Sequence, residues 1–199
     1  MAGFVSLRYV VKGWSDAAGE RENELIFQRR AYHWRSLGKV LPTGPGATRG
    51  TGNSRRYNEA TVPLIAVMLQ ISNRLSSIEE LDAISRTIQR GLAGNKTPFA
   101  RCWTAALVRA AAELAPQRDA AEADVATESP RENHYLTIAF PSPTQGLAVR
   151  CGPTPIFNYG VDVDVYLLDL DFIFYTLAES SLFVKSSPHV SQRRIREGG

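Results

Sequence analysis

Cysteine, histidine and methionine are scarce in this sequence, whose 199 residues include two cysteines, three histidines and two methionines. Two cysteines, Cys102 and Cys151, are too few for a disulfide framework, and no CxxC or Cys/His spacing predicts a zinc site. No run of about 18 apolar residues is present, so we expect no membrane span. The chain does not open with a basic segment followed by an apolar stretch. We therefore expect no signal peptide and a cytoplasmic protein.

Recognisable catalytic motifs are also missing. No Ser/His/Asp arrangement or phosphate-binding glycine loop occurs, and the histidines lack the spacing of metal ligands. Two pairs of aspartates have two-residue spacing: Asp162 with Asp164, and Asp169 with Asp171. Such carboxylates could hold a metal or exchange protons, but this spacing among large apolar residues is typical of a solvated strand face. We predict no enzyme activity, no metal site and no cofactor.

Charge is distributed unevenly along the chain. The formal net charge of +3 combines +5 over residues 1–60, +2 over residues 61–120 and −4 over residues 121–199. A basic front and an acidic back predict that a polyanion would bind to the first third. Chance variation of a solvated surface is the alternative, and charge alone does not decide between the two.

Helical periodicity dominates the first 115 residues. Residues 24–40 predict a helix that packs through near-helically spaced apolar residues and ends before Pro42. These apolar residues are Leu25, Ala31, Trp34 and Leu37. A glycine- and arginine-rich loop follows at residues 43–56, and Asn58 is a plausible N-cap for the next helix. Further helices are predicted from Ser77 and over residues 99–114.

The second half has a different pattern. An acidic linker at residues 116–133 precedes three segments with strand composition, at residues 134–140, 146–151 and 161–174. The predicted class is α+β, with an N-terminal helical part and a small β-rich C-terminal part. We divide the chain into a DNA-binding domain, a helix with the acidic linker, a β-rich dimerisation or sensing part, and a basic tail. Their ranges are 1–95, 96–133, 134–184 and 185–199.

The helix at residues 24–40 has the side chains needed to read DNA. A helix that enters the major groove needs long polar side chains on its exposed face. This helix offers Gln28, Arg29, Arg30, His33 and Arg35. In the following loop, Arg49, Arg55 and Arg56 could neutralise backbone phosphates. A solvated basic surface without a ligand is the alternative for all of these arginines.

Two stretches resemble the MerR family of DNA-binding proteins. Residues 29–34 read Arg-Arg-Ala-Tyr-His-Trp, with Leu-Gly at 37–38 and Leu-Pro at 41–42. Residues 52–62 read Gly-Asn-Ser-Arg-Arg-Tyr-Asn-Glu-Ala-Thr-Val and resemble the family's wing and following helix, without a gap from Arg55 to Val62. The resemblance covers residues 4–72. The chain departs from the family pattern by one extra residue near Lys39, and the family's long dimerisation helix is missing.

The resemblance implies a winged helix-turn-helix. Its second helix would lie in the major groove and its wing on phosphates. Arg29 matches the family's DNA-contacting arginine, and Arg55, Arg56 and Tyr57 match wing residues. Trp34 and Tyr57 are also the aromatic residues that we expect to pack in the core.

The expected function is a sequence-specific, double-stranded DNA-binding transcription regulator. Double-stranded DNA, a second copy of the chain and RNA polymerase are the expected partners, and no membrane is expected. The dimer is expected through the C-terminal part, because so few strands need a cover, either from the chain's own helices or from a second copy. Two alternatives stay open: an excisionase-like architectural factor, and a protein-interaction module that does not bind DNA.

Overall fold

The computed structural model describes residues 4–42, 47–49, 55–94, 96–114, 133–140, 147–153 and 164–180. Within these ranges the chain forms six α-helices and two three-stranded antiparallel sheets. The predicted α+β class is therefore confirmed. The acidic linker and the basic tail lie almost entirely outside the described residues.

The first half of the chain alternates helices with the strands of one sheet. Its elements are β1 (Phe4–Ser6), α1 (Leu7–Ala17), a 3₁₀ turn (Arg21–Asn23), α2 (Glu24–Leu37), β2 (Ala47–Arg49) and β3 (Arg55–Asn58). The strands pair in the order β1-β3-β2. The amino-terminal strand therefore runs antiparallel to β3, and β3 also pairs with β2.

Local sequence signals explain where the first two helices begin and end. The Ser6 hydroxyl accepts a hydrogen bond from the Tyr9 backbone N–H at 3.3 Å and caps α1. Gly38 has φ +65° and terminates α2 in the left-handed conformation that glycine adopts most easily. The helix therefore ends at Leu37, three residues before the predicted end at Val40.

Three helices follow: α3 (Val62–Ile71), α4 (Ile78–Ala93) and α5 (Pro98–Leu114). Asn58 accepts a hydrogen bond from the Thr61 N–H at 3.0 Å, which supports a short 3₁₀ turn before α3. Ser77, at which a helix was predicted to begin, caps α4 by accepting a hydrogen bond from the Glu80 N–H. All residues of α3 except Gln70 are buried, so this helix lies at the centre of the molecule.

The carboxyl-terminal part contains β4 (Tyr135–Phe140), β5 (Ala148–Gly152), β6 (Asp164–Asp169) and α6 (Leu170–Glu179). The strand predicted over residues 161–174 is wrong beyond Asp169, because Leu170, Ile173 and Phe174 lie on one face of a helix and are buried. The Asp169 side chain accepts from the Phe172 N–H at 3.0 Å and caps that helix. The composition of this segment is typical of a strand, but the spacing of its buried apolar residues is helical.

A single hydrophobic core includes residues from both halves of the chain. Helix α6 packs against α1, α3 and α5. Within this core the Phe174 ring meets the Trp103 ring edge to face, with centroids 4.9 Å apart. The described residues of the predicted DNA-binding domain therefore complete their core with a helix that comes about a hundred residues later in sequence.

The small sheet, with strand order β5-β4-β6, is covered by helices of its own chain. Leu136 and Ile138 of β4 are buried in the common core, and α5 packs against β5 while α6 packs against β4. Of the two predicted covers, the chain's own helices therefore supply one. The homodimer stays a prediction, but it is no longer needed to cover the apolar face of this sheet.

Cys102 of α5 and Cys151 of β5 form a disulfide bond, with their Cα atoms 5.9 Å apart. Two cysteines exclude a framework but not a single bridge, so the inference from their number was incomplete. Cys151, in a segment predicted from its composition to be a strand, lies within β5, on the sheet face that carries Leu136. The bond links the sheet to the helix that covers it, and lack of a disulfide no longer supports a cytoplasmic location.

Candidate nucleic-acid interface

Helix α2 presents one buried and one exposed face. Phe27, Ala31 and Trp34 form the buried stripe, which confirms the core position expected for Trp34. Leu25 and Leu37, which we predicted to pack inward, are exposed instead. Phe27 takes their place because it falls four and seven residues before Ala31 and Trp34, the spacing of one helical face.

The outward stripe of α2 combines basic, aromatic and aliphatic side chains. Its residues have helical spacing and are all exposed: Leu25, Arg29, Tyr32 and Ser36. His33 is exposed beside this stripe. Of the predicted site residues whose side chains the structure describes, Arg29 and His33 are exposed, as a base-reading role requires.

Gln28 and Arg35 flank the stripe and are half-buried. The Gln28 amide donates to the Glu24 carboxylate at 2.6 Å, one helical turn earlier. The Arg35 guanidinium lies over the Tyr32 ring at 4.6 Å from its centroid, a cation–π contact. Both side chains are held against α2, so a ligand that used them would have to meet them in these orientations or displace these contacts.

Arg30 has a structural contact that its place in the predicted site did not anticipate. Its Nη1 donates to the Ser72 carbonyl oxygen at 2.7 Å and lies 3.3 Å from the Ser72 hydroxyl, which is buried. Arg30 therefore fastens α2 to the carboxyl end of α3. Sequence could not separate it from Arg29, because only the packing of α2 decides which of two neighbouring arginines faces inward.

The segment that resembles the family's wing contains β3, which pairs with β2. Arg49 and Arg55 are register partners on these strands, and Arg56 pairs with both Thr48 and Ser6. The side chains of these three arginines lie outside the described residues. Tyr57 is 0% exposed, which confirms its expected core position and corrects its place among the DNA-contacting residues.

The turn between α2 and β2 is fixed by α4. Val40 has φ +65°, a conformation that a β-branched residue rarely adopts, and the Leu41 N–H donates to the Lys39 carbonyl at 2.7 Å to close a γ-turn. The Val40 N–H donates to Asp82 at 2.7 Å, and its carbonyl accepts from the Ser85 hydroxyl. The extra residue relative to the family pattern falls at this turn.

A salt bridge reinforces the same turn. Lys39 Nζ lies 3.4 Å from the Glu79 carboxylate in the first turn of α4. A hydrogen bond with its own backbone N–H, and then Lys39, lower the pKa of Glu79. The exit of α2 is thus positioned by backbone hydrogen bonds and, more weakly, by an exposed ion pair.

Sequence reasoning missed two exposed basic residues on α1. Arg8 and Lys12 are one helical turn apart, opposite the buried Val10, Val11 and Trp14. Their spacing opposite an apolar stripe was the available signal. They extend the set of described, exposed cations in the first sixty residues beyond α2.

Another polar cluster joins three elements in the second half. Asp171 accepts from the His134 backbone N–H at 2.6 Å, and the His134 ring Nδ1 lies 3.1 Å from the same carboxylate. Arg109 of α5 lies 3.7 Å from Asp171. These contacts fasten the start of β4 and the start of α6 to α5, so a structural role accounts for this histidine–aspartate pair.

Asp169 and Asp171 do not share a strand face as predicted, and the prediction for Asp162 and Asp164 falls partly outside the described residues. Asp169 caps α6, Asp171 lies in its first turn, Asp164 is exposed at the start of β6, and Asp162 lies outside the described residues. In the part of the chain that the structure describes, no group of three or more metal-ligating side chains comes together. Nor is any of its helices long and apolar enough to cross a membrane.

Comparison of the chain with protein-family models, with curated proteins and with solved structures finds no match.

Proposed function

We propose that this chain is a sequence-specific, double-stranded DNA-binding transcription regulator that uses a winged helix-turn-helix. The observation that carries the proposal is the exposure of Arg29 and His33 on α2, a helix held by its opposite face against the core. A base-reading helix needs such a rigid mounting, because a small displacement of its side chains removes their contacts with the base edges.

The order of elements supports the same proposal. Helix α1, a short turn, helix α2, the strands β2 and β3, and helix α3 follow one another, and β1 adds a third strand. In a winged helix-turn-helix the second helix enters the major groove and the hairpin contacts the backbone. The net charge of +5 on residues 1–60 suits a phosphate surface.

Binding should be tested with the full chain. Because α6 belongs to the core that α1 and α3 share, a fragment ending near residue 95 would lack part of its packing. An electrophoretic mobility shift with pooled genomic fragments should show retention at about 50 mM salt and a steep loss at higher salt. Absence of retention at low salt would overturn the proposal.

Two variants separate base reading from backbone contact. Arg29→Ala should lose preference for the selected duplex over a scrambled one, because an arginine that reads a base contributes roughly 1–3 kcal/mol of discrimination. Arg56→Ala should weaken both duplexes alike, because a phosphate contact carries no direct sequence information. Equal losses on both duplexes for Arg29→Ala would assign Arg29 to the backbone.

The proposal includes a cytoplasmic location, a homodimer on two half-sites, and RNA polymerase as a further partner. Sedimentation of the full chain at tens of micromolar measures the dimer, and a monomer there would remove the expectation of a palindromic operator.

One observation favours a second candidate, a protein-interaction module. Helix α2 exposes several large apolar side chains, which a partner protein could cover. Binding that is insensitive to salt and to Arg29→Ala would favour this candidate over the regulator.

A further inference from the structure

The exposed apolar residues of the described chain concentrate on α2. Seven large hydrophobic side chains are exposed among the described residues, and four of them belong to this helix: Leu25, Ile26, Tyr32 and Leu37. Single exposed apolar residues are ordinary, but several on one helix indicate an interaction surface. Because the same helix carries Arg29, the ligand that fits this surface has both apolar groups and anionic or acceptor groups.

Leu25 is the residue best placed to meet such a ligand. Its side chain is 66% exposed, the largest value among these apolar residues, and it lies in the first turn of α2. Amino-terminal residues of a recognition helix are the ones that contact base edges. Leu25 also lies one helical turn before Arg29 on the same outward stripe.

The major groove offers one apolar group, the 5-methyl of thymine, beside the acceptors of guanine that an arginine reads. We infer that Leu25 recognises a thymine methyl group, and that this contact sets part of the sequence preference of the site. The inference rests on the proposed DNA-binding function. Arg29 supplies charge complementarity to DNA that a purely apolar partner surface would not need, and His33 adds a hydrogen-bonding ring beside it.

Helix geometry limits where this thymine lies. Residues four apart on a helix are separated by about 6 Å along its axis. Successive base pairs are separated by about 3.4 Å. The thymine that Leu25 contacts should therefore lie within roughly two base pairs of the base that Arg29 reads.

The decisive experiment removes the methyl group without changing base pairing. Duplexes that bind the full chain are selected from a random library, and each thymine of the selected site is then replaced by deoxyuracil. At one position this replacement should weaken binding about four-fold, the effect of losing one methylene-sized apolar contact. In Leu25→Ala, thymine and deoxyuracil at that position should bind equally.

Leu37→Ala is the matched control, because Leu37 is exposed on the same helix but lies in its last turn, away from the stripe. This variant should keep the full preference for thymine. Equal binding of thymine and deoxyuracil by the unchanged protein, or a thymine preference that survives Leu25→Ala, would overturn the inference while leaving DNA binding intact. If no duplex is selected at about 50 mM salt, DNA binding itself fails, and the apolar face of α2 is then left to a protein partner.

Discussion

Reduction of the Cys102–Cys151 bond should destabilise the fold by an amount that follows from its place in the chain. The cysteines are 49 residues apart in sequence. In the chain-entropy account, opening a cross-linked loop of this length raises the conformational entropy of the unfolded chain. This lowers the free energy of unfolding by about 4 kcal/mol at 25 °C. For a chain of this size, that loss lowers the midpoint of thermal unfolding by about 8–16 °C.

The assay is thermal and urea unfolding of the full chain with and without a phosphine reductant. The variant with both Cys102→Ala and Cys151→Ala is the control, and its unfolding should not respond to the reductant. Thiol titration of protein purified without reductant should find no free thiol. Two free thiols there, or a reductant that opens the bond without moving the midpoint, would refute the reasoning. In a cytoplasm that reduces disulfides, the protein would have the lower stability of the form with two free thiols.

Three further substitutions and one control, Asp164→Ala, test the packing. Asp171→Ala should lower the free energy of unfolding, measured in urea, by about 2–3 kcal/mol, because His134 and Arg109 lose a charged acceptor. Asp164→Ala, at an exposed strand position, should change the same free energy by less than about 0.5 kcal/mol. Phe174→Ala should cost about 3–5 kcal/mol by leaving a cavity beside Trp103; a cost below 1 kcal/mol would mean that α6 is not in the core. Arg30→Ala should destabilise the DNA-free protein by about 1–2 kcal/mol through the lost bond to α3, and unchanged unfolding would contradict that structural role.

Sequence patterns predicted the helical segments of the first half well, because their signals are local. The start of a helix at Ser77 and the burial of Trp34 and Tyr57 required only the pattern of neighbours in sequence. The end of α2 was predicted three residues late, because the prediction ended the helix just before Pro42, whereas Gly38 in the left-handed conformation ends it earlier. The strand predicted to continue through Phe174 was wrong for a similar reason: aromatic and branched residues suit strands, but here their spacing is helical.

The candidate site could be predicted only in part. Basic and polar residues on α2 marked the helix, but sequence could not decide which of them faces the core. Arg30 faces α3 and Tyr57 is buried, whereas Arg29 and His33 are exposed. Such differences arise from tertiary packing between segments far apart in sequence, which a local pattern does not contain.

The position of α6 in the core has a consequence for synthesis of the protein. Ile71, the last residue of α3, leaves the ribosome 99 residues before Leu170, the first residue of α6. At the usual rates of translation the amino-terminal helices wait roughly 5 to 20 s for the helix that completes their packing. A nascent or prematurely terminated chain would then carry the basic surface without the part of the core that α6 adds to α1 and α3. Under the proposed function, DNA binding would therefore require synthesis of the chain through α6.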